Sequence, residues 1–310
     1  MMEKKATRLA FGESLVELGK INENVVVLDA DLTKSTMTTF FQKEFPNRHL
    51  NMGIAEANMM ATAAGIASTG KIPFVSTFAI FAAGRAFEQI RNSIAYPKLN
   101  VKICPTHAGI SVGEDGGSHQ SIEDIALMRT IPGMVVLSPA DATETRQMIL
   151  EAAKYEGPMY IRLGRLNVPI LFDESYEFKI GKAVELKEGN DVAIIATGLM
   201  VAEAIKASEI LKEKGISARV INMSTIKPLD NDAVLKAANE CKFIVTSEEH
   251  SVIGGLGSAV SDFLSSVRPT LVIKHGINDV FGQSADGDTM LDEYHLRAND
   301  IAKLVLDNYK

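Results

Sequence analysis

The chain has 310 residues, of which 46% are apolar and 23% charged, with a formal net charge of −7. That is length enough for two domains, each with its own core. The acidic balance, with no Lys/Arg run and no basic–aromatic interleaving, argues against a nucleic-acid-binding surface.

The N-terminal stretch Met1–Thr7 is charged and carries no apolar core of a signal peptide. The longest apolar run, Ile72–Ala83, is too short to span a bilayer and holds Ser76 and Thr77. A cytoplasmic protein with no membrane partner is expected. Cys104 and Cys241, the two cysteines, sit in or beside apolar strand-like runs and read as reduced, buried thiols.

In chain order the pattern alternates. Helices are expected over Thr7–Leu18, Glu56–Ser68, Ala86–Ala95 and Ala142–Tyr155. Strands are expected over Val25–Leu28, Pro73–Val75, Val101–Cys104, Met134–Leu137 and Met159–Leu163. After the polar segment Asp173–Glu188 a second series begins, with strands at Val192–Ala196, Ala218–Asn222, Phe243–Thr246 and Thr270–Ile273. Helices Met200–Lys214, Asn231–Asn239 and Gly257–Ser266 separate them. The alternation predicts an α/β protein of two three-layer α/β/α domains with mainly parallel sheets, residues 1–175 and 176–310.

The polar candidates fall just after strands of the first series: Asp31 and Ser35, Thr77 and Phe78, His107, and Arg165. Ligands of open parallel sheets bind outside the carboxyl ends of the strands, so these positions mark one rim. The segment Thr106–Gln120 stands out there. It places His107, Asp115 and His119 on one glycine-rich loop, suited to moving protons or binding hydroxyls near neutral pH. Their uneven spacing does not suit metal ligation, and no metal site is assigned to this chain.

Glu56 shares a helix face with Met59, Met60 and Ala63. Either it is a carboxyl on an apolar face that must find a partner, or an acid favoured by the helix N-terminus. Phe78 and Phe81 are either core packing or a slot for a flat ring. Arg8 and Arg165, each unremarkable alone, suit a bidentate grip on a phosphate or carboxylate. The glycines of Gly254-Gly-Leu-Gly257 do not make a dinucleotide fingerprint, because Ser247–Ile253 separates them from the expected strand.

Several segments together resemble transketolase: Asp29–Ser35, Gly53–Glu56, His107–Gln120, Ser138–Asp141, Arg162–Arg165 and Glu248–Gly257. The order and spacing match across nearly the whole chain, but only to the back half of a full-length transketolase. The resemblance implies a thiamine diphosphate-binding pyrimidine domain followed by the family's C-terminal domain. It makes Glu56 the acid that hydrogen-bonds N1′ of the aminopyrimidine, with Phe78 and Phe81 as pocket aromatics. Val75 stands where the family has a third aromatic. Asp31 falls near the thiazolium, and His119 beside the reacting centre. Asp115 falls on the substrate's C2 hydroxyl, and Arg8, Ser35, His107 and Arg165 on the sugar phosphate. Ala55 and Ala57 replace an Arg and a His that flank the family's glutamate.

The Gly-Asp-Gly…Asn motif that holds the cofactor's diphosphate and Mg²⁺ or Ca²⁺ does not occur in this sequence. The resemblance therefore implies a separate diphosphate-binding N-terminal subunit and a dimer of heterodimers, inactive without that partner. The expected reaction is two-carbon ketol transfer between sugar phosphates. A 2-oxo acid dehydrogenase β subunit and a deoxyxylulose phosphate synthase-like enzyme share the plan and stand as alternatives.

Overall fold

The computed structural model describes residues 3–309. It is an α/β protein built on two mostly parallel sheets with helices on both faces of each. The first sheet runs Thr225–Lys227, Val135–Leu137, Met159–Ile161, Lys102–Ile103, Ile72–Ser76, Val25–Asp29, His49–Asn51, and is parallel throughout except for Thr225–Lys227. The second runs Val272–Ile277, Phe243–Ser251, Val192–Ala196, Ala218–Asn222, Val184–Lys187, with only the last strand antiparallel. The central strands are buried on both sides and mostly apolar, as a sheet covered on two faces requires.

The pleat divides the cores. Leu28, Val75, Ile103, Val136 and Tyr160 pack on one side with Met59, Met60 and Ala63 of the helix Glu56–Ala67. Val27, Phe74, Cys104, Leu137 and Ile161 pack on the other with Phe11 and Leu15 of the helix Thr7–Ile21 and Met148 and Ile149 of the helix Ala142–Ala152. In the second sheet Val192, Ile194 and Val220 meet the helices Met200–Glu213 and Ala298–Asn308. Ala193, Ile195 and Ile244 meet Asn231–Glu240 and Leu256–Val267. Alternate residues pointing to opposite faces produce this division directly.

Three departures from the sequence expectation bear on the site. First, Lys4–Ala6 pairs antiparallel with Asn167–Pro169, and Gly164 N donates to Thr7 Oγ1 at 2.9 Å. This two-stranded ribbon seats the start of the first helix, with Arg8, against the segment carrying Arg165. Second, the expected helix over Ala86–Ala95 begins earlier and is wide: π turns over Phe81–Arg85 and Ile90–Ala95 flank a short α segment, Phe87–Gln89. Such turns are uncommon and cluster at functional sites.

Third, the strand expected to stop at Thr246 continues to Ser251. The polar run Glu248-Glu-His250 hid it, since buried strands are expected to be apolar. Its carboxylates are satisfied internally. Glu248 accepts from Leu256 N at 2.7 Å and Gly257 N at 2.8 Å, capping the helix Leu256–Val267. Gly254 and Gly255 thus do occupy a strand-to-helix turn, contrary to the separation read from sequence. The anion position at that helix start is filled by Glu248, and a Cβ on Gly255 would lie 2.0 Å from Glu248 Oε2. No phosphate fits there.

No helix among the described residues is long and apolar enough to cross a membrane.

Candidate active site

The strands that end in candidate residues are neighbours in the first sheet. Met159–Ile161, Lys102–Ile103, Ile72–Ser76 and Val25–Asp29 lie side by side and parallel. Their carboxyl ends therefore bring Arg165, His107, Phe78 and Asp31 to one rim.

An aromatic cluster forms the middle of that rim. The rings of Phe78 and Phe81 stack with centroids 5.8 Å apart and 13° between planes. His107 stacks on Phe78 at 3.9 Å, and His119 meets Phe81 edge-on at 5.3 Å and Phe78 at 6.1 Å. Phe78 and His107 are buried, whereas Phe81 and His119 are half-buried, so the cluster has a covered end and an open end. Val75, which stands where a third aromatic was expected, is fully buried in its strand and lies in the core beneath.

Glu56 is the first residue of its helix and is buried together with Met59, Met60 and Ala63. Both readings of it hold in part: it sits at a helix N-terminus and it has found a partner. That partner is Arg85, whose Nη1 donates to Oε1 at 3.1 Å and Oε2 at 3.0 Å. The Arg85 guanidinium lies 4.3 Å from the Phe81 ring centroid. Sequence reasoning missed Arg85. Its signal was a lone cation amid the small apolar run Phe81–Ala86, one helical turn after an aromatic.

At the covered end His107 adopts a left-handed backbone, φ 57°, unusual for a residue with a Cβ. Its Nδ1 shares a 2.8 Å hydrogen bond with Thr106 Oγ1. Burial first, then the cations Arg8 and Arg165 and the neighbouring His119, push its pKa down to about 3. At neutral pH His107 is therefore an uncharged hydrogen-bonding group. The sign of the linkage follows. Between the ordinary histidine value near 6.5 and about 3, the unfolded chain binds a proton that the folded chain does not. Stability contributed by neutral His107 is lost as pH falls through that window. Urea unfolding at pH 6.5 and 4.5 is expected to show wild type losing about 2–3 kcal/mol more than His107→Gln.

Arg8 donates from Nη1 to the Ser35 carbonyl at 2.8 Å, while its Nε is buried without a partner. Burial and then the charge of Arg165 lower its pKa. Two guanidiniums within range of each other, one with an idle N–H, make a cradle whose charge an anion would relieve. Ser35 joins this cradle through its backbone, and its half-buried side chain has no hydrogen-bond partner among the described residues.

Arg165 donates to the Val112 carbonyl and to Glu114 Oε2 at 2.9 Å, and lies 3.8 Å from Asp115 Oδ2. Asp115 is exposed and turned towards Arg165. Asp31, also exposed and left-handed at φ 60°, accepts from Asn51 Nδ2 at 3.0 Å and, among the described residues, hydrogen-bonds to none of the other candidates. Among the described residues no group of three His, Cys, Asp or Glu side chains is placed to hold a metal ion.

The glycine loop is clamped from the second domain. Ser111 N donates to Glu249 Oε1 at 2.7 Å, and a Cβ on Gly109, whose φ is +86°, would strike that carboxylate at 2.3 Å. Arg162 ties the same place together, donating to Asp124, to the Ser121 carbonyl and to the Glu249 carbonyl. The backbone bearing His107 and His119 is thus held by a buried carboxylate of the neighbouring domain.

The sequence matches the family description "Transketolase, pyrimidine binding domain" over residues 3–170 and "Transketolase, C-terminal domain" over residues 181–301. The chain belongs to the transketolase family. Among its relatives is a Methanocaldococcus jannaschii protein assigned as a transketolase C-terminal section, 52% identical over 99% of this chain and 97% of the relative. Another is a 6-deoxy-6-sulfo-D-fructose transketolase subunit of a Clostridium species, 41% identical over 97% of this chain and 94% of the relative. A solved structure described as a split gene transketolase, inactive β4 tetramer, superposes with a TM-score of 0.90 at 52% identity, covering 98% of both chains.

Membership implies thiamine diphosphate binding at the pyrimidine domain. The donor set fits the pyrimidine end of that cofactor: a buried carboxylate for a ring nitrogen, close to the half-buried ring of Phe81 that Arg85 overlies.

Proposed function

We propose that this chain is the C-terminal subunit of a two-chain transketolase. With a separate subunit that binds the diphosphate and its Mg²⁺ or Ca²⁺, it transfers a two-carbon ketol unit from a ketose phosphate to an aldose phosphate. The assembly is a dimer of heterodimers. The reading rests chiefly on one observation: a buried glutamate at the open end of an aromatic cluster whose other end abuts two arginines. A cofactor ring and an anionic group at the other end of the cluster are both provided for.

When bound, thiamine diphosphate supplies the reactive carbon and the electron sink for the two-carbon unit. The protein groups do the rest. Glu56 holds the proton shared with N1′ of the ring, and Phe78 and Phe81 fix the ring plane. Asp31 would border the thiazolium. His119, on the loop across from Phe81, moves a proton at the substrate oxygen, and Asp115 takes the C2 hydroxyl. Neutral His107 donates or accepts at the sugar without adding charge. Arg8 and Arg165, with Ser35, hold the terminal anion, which fits a phosphate dianion and, more weakly, a sulfonate.

Support for two chains comes from relatives of matching length and from the absence of a diphosphate motif in these residues. The test is reconstitution. The chain alone is expected to be inactive, and mixing it with the diphosphate-binding subunit is expected to give transfer from xylulose 5-phosphate and none from pyruvate. Ketol transfer by the isolated chain, or pyruvate as the preferred donor, overturns the reading.

A further inference from the structure

The glutamate on which the proposed chemistry turns is not bare. Among the described residues its side chain has one hydrogen-bond partner, Arg85. The two are unequal: the Glu56 side chain is 1% exposed and that of Arg85 is 52% exposed. Among the described residues the Arg85 guanidinium hydrogen-bonds to the Glu56 carboxylate alone and overlies the Phe81 ring.

A guanidinium is planar, points N–H groups at a carboxylate and stacks on an aromatic ring. An aminopyrimidine asks for the same three things: a flat slot, an acid at its ring nitrogen and a phenyl face. Arg85 therefore meets the ring's two recognition elements at once. Its half-exposed position gives it a way out to solvent. Without some cation there, a buried carboxylate would border an open slot uncompensated, which is costly.

We propose that Arg85 is a built-in substitute for the aminopyrimidine, filling the slot and satisfying Glu56 until the cofactor displaces it. This rests on the thiamine diphosphate reading above and goes beyond it by giving Arg85 a competitive role. The π turn over Phe81–Arg85 carries both the stacking ring and its temporary occupant, so one local distortion serves both.

The test is calorimetric titration of thiamine diphosphate, with Mg²⁺, into the complex with the diphosphate-binding subunit. Arg85→Met keeps the length and an apolar cover for Phe81 but removes the competing charge. Its Kd is expected to be about three- to tenfold lower than wild type, the range for one partly exposed ion pair and its stacking contact. The advantage should shrink as salt rises from about 0.05 to 0.5 M, because the displaced pair is screened. Arg85→Lys keeps charge without the flat fork and is expected to fall between. Equal or weaker binding by Arg85→Met would show a fixed support or a bystander, and ends the proposal. Wild type itself is the separate control. If the wild-type complex takes up no thiamine diphosphate in the same titration, the cofactor reading itself fails and the Arg85 role falls with it.

Discussion

Glu56→Gln, in complex with the diphosphate-binding subunit, is expected to lower kcat by about 10²- to 10⁴-fold, the range for losing a positioned proton carrier. Glutamine keeps the volume beside Met59 and Met60 and can still accept from Arg85 through its amide oxygen. The helix Glu56–Ala67 should therefore form as before, and the thermal midpoint should move by only a few degrees. What glutamine cannot do is exchange a proton with the ring nitrogen. On the proposed reading that exchange would ready the cofactor for the donor, so the donor half-reaction should carry most of the loss. Stopped-flow measurement of each half-reaction separates this from a substrate-binding defect, which would raise KM for one sugar only. Turnover within about tenfold of wild type would remove Glu56 from the chemistry.

How the sequence encodes this site differs from part to part. Apolar pattern was sufficient for the strands Val192–Ala196 and Ala218–Asn222, which begin and end at the expected residues. The rim position of Asp31, Phe78, His107 and Arg165 was legible too, since strand alternation and the carboxyl-end rule place them without any side-chain detail. Contacts between distant segments were not legible. The ribbon Lys4–Ala6 with Asn167–Pro169 is two three-residue strands, too short to carry a pattern, yet it is what sets Arg8 near Arg165. Arg85 was missed because local pattern says nothing about which turn of a helix faces another helix's first residue. Glu249 was missed for the opposite reason. The acidic pair Glu248-Glu249 lay beyond the expected strand end, yet it is buried in that strand, because the glycine loop and a helix N-terminus each offer N–H groups that satisfy it.

That clamp also gives the second domain a physical task. Glu249 reaches the first domain at Ser111, between His107 and His119, and Arg162 fixes Glu249's own backbone. The two domains therefore share one buried polar network, and the loop inherits the rigidity of both sheets. Rigid placement matters because the histidines meet the phenylalanine rings at separations of 3.9–6.1 Å, where a shift of an ångström changes the contact.

The proposed phosphate cradle permits a sharper discrimination between substrates. Arg8→Ala and Arg165→Ala are each expected to lower kcat/KM for a phosphorylated donor by about 10- to 100-fold, one charge-assisted hydrogen bond apiece. Most of the loss should appear in KM, since the anion is held alike in the ground and transition states. The double variant should lose less than the product of the two. Removing one guanidinium also removes its repulsion of the other, the same repulsion that lowers the Arg8 pKa. A donor of the same sugar without the phosphate is the discriminating control. It should be a poor substrate for wild type and scarcely worse for either variant. Arg165→Ala carries a further consequence, because Arg165 also braces Val112 and Glu114 of the glycine loop. Its kcat should fall somewhat more than that of Arg8→Ala. Equal losses on the phosphorylated and unphosphorylated donors would mean that the arginines hold the loop and not the anion.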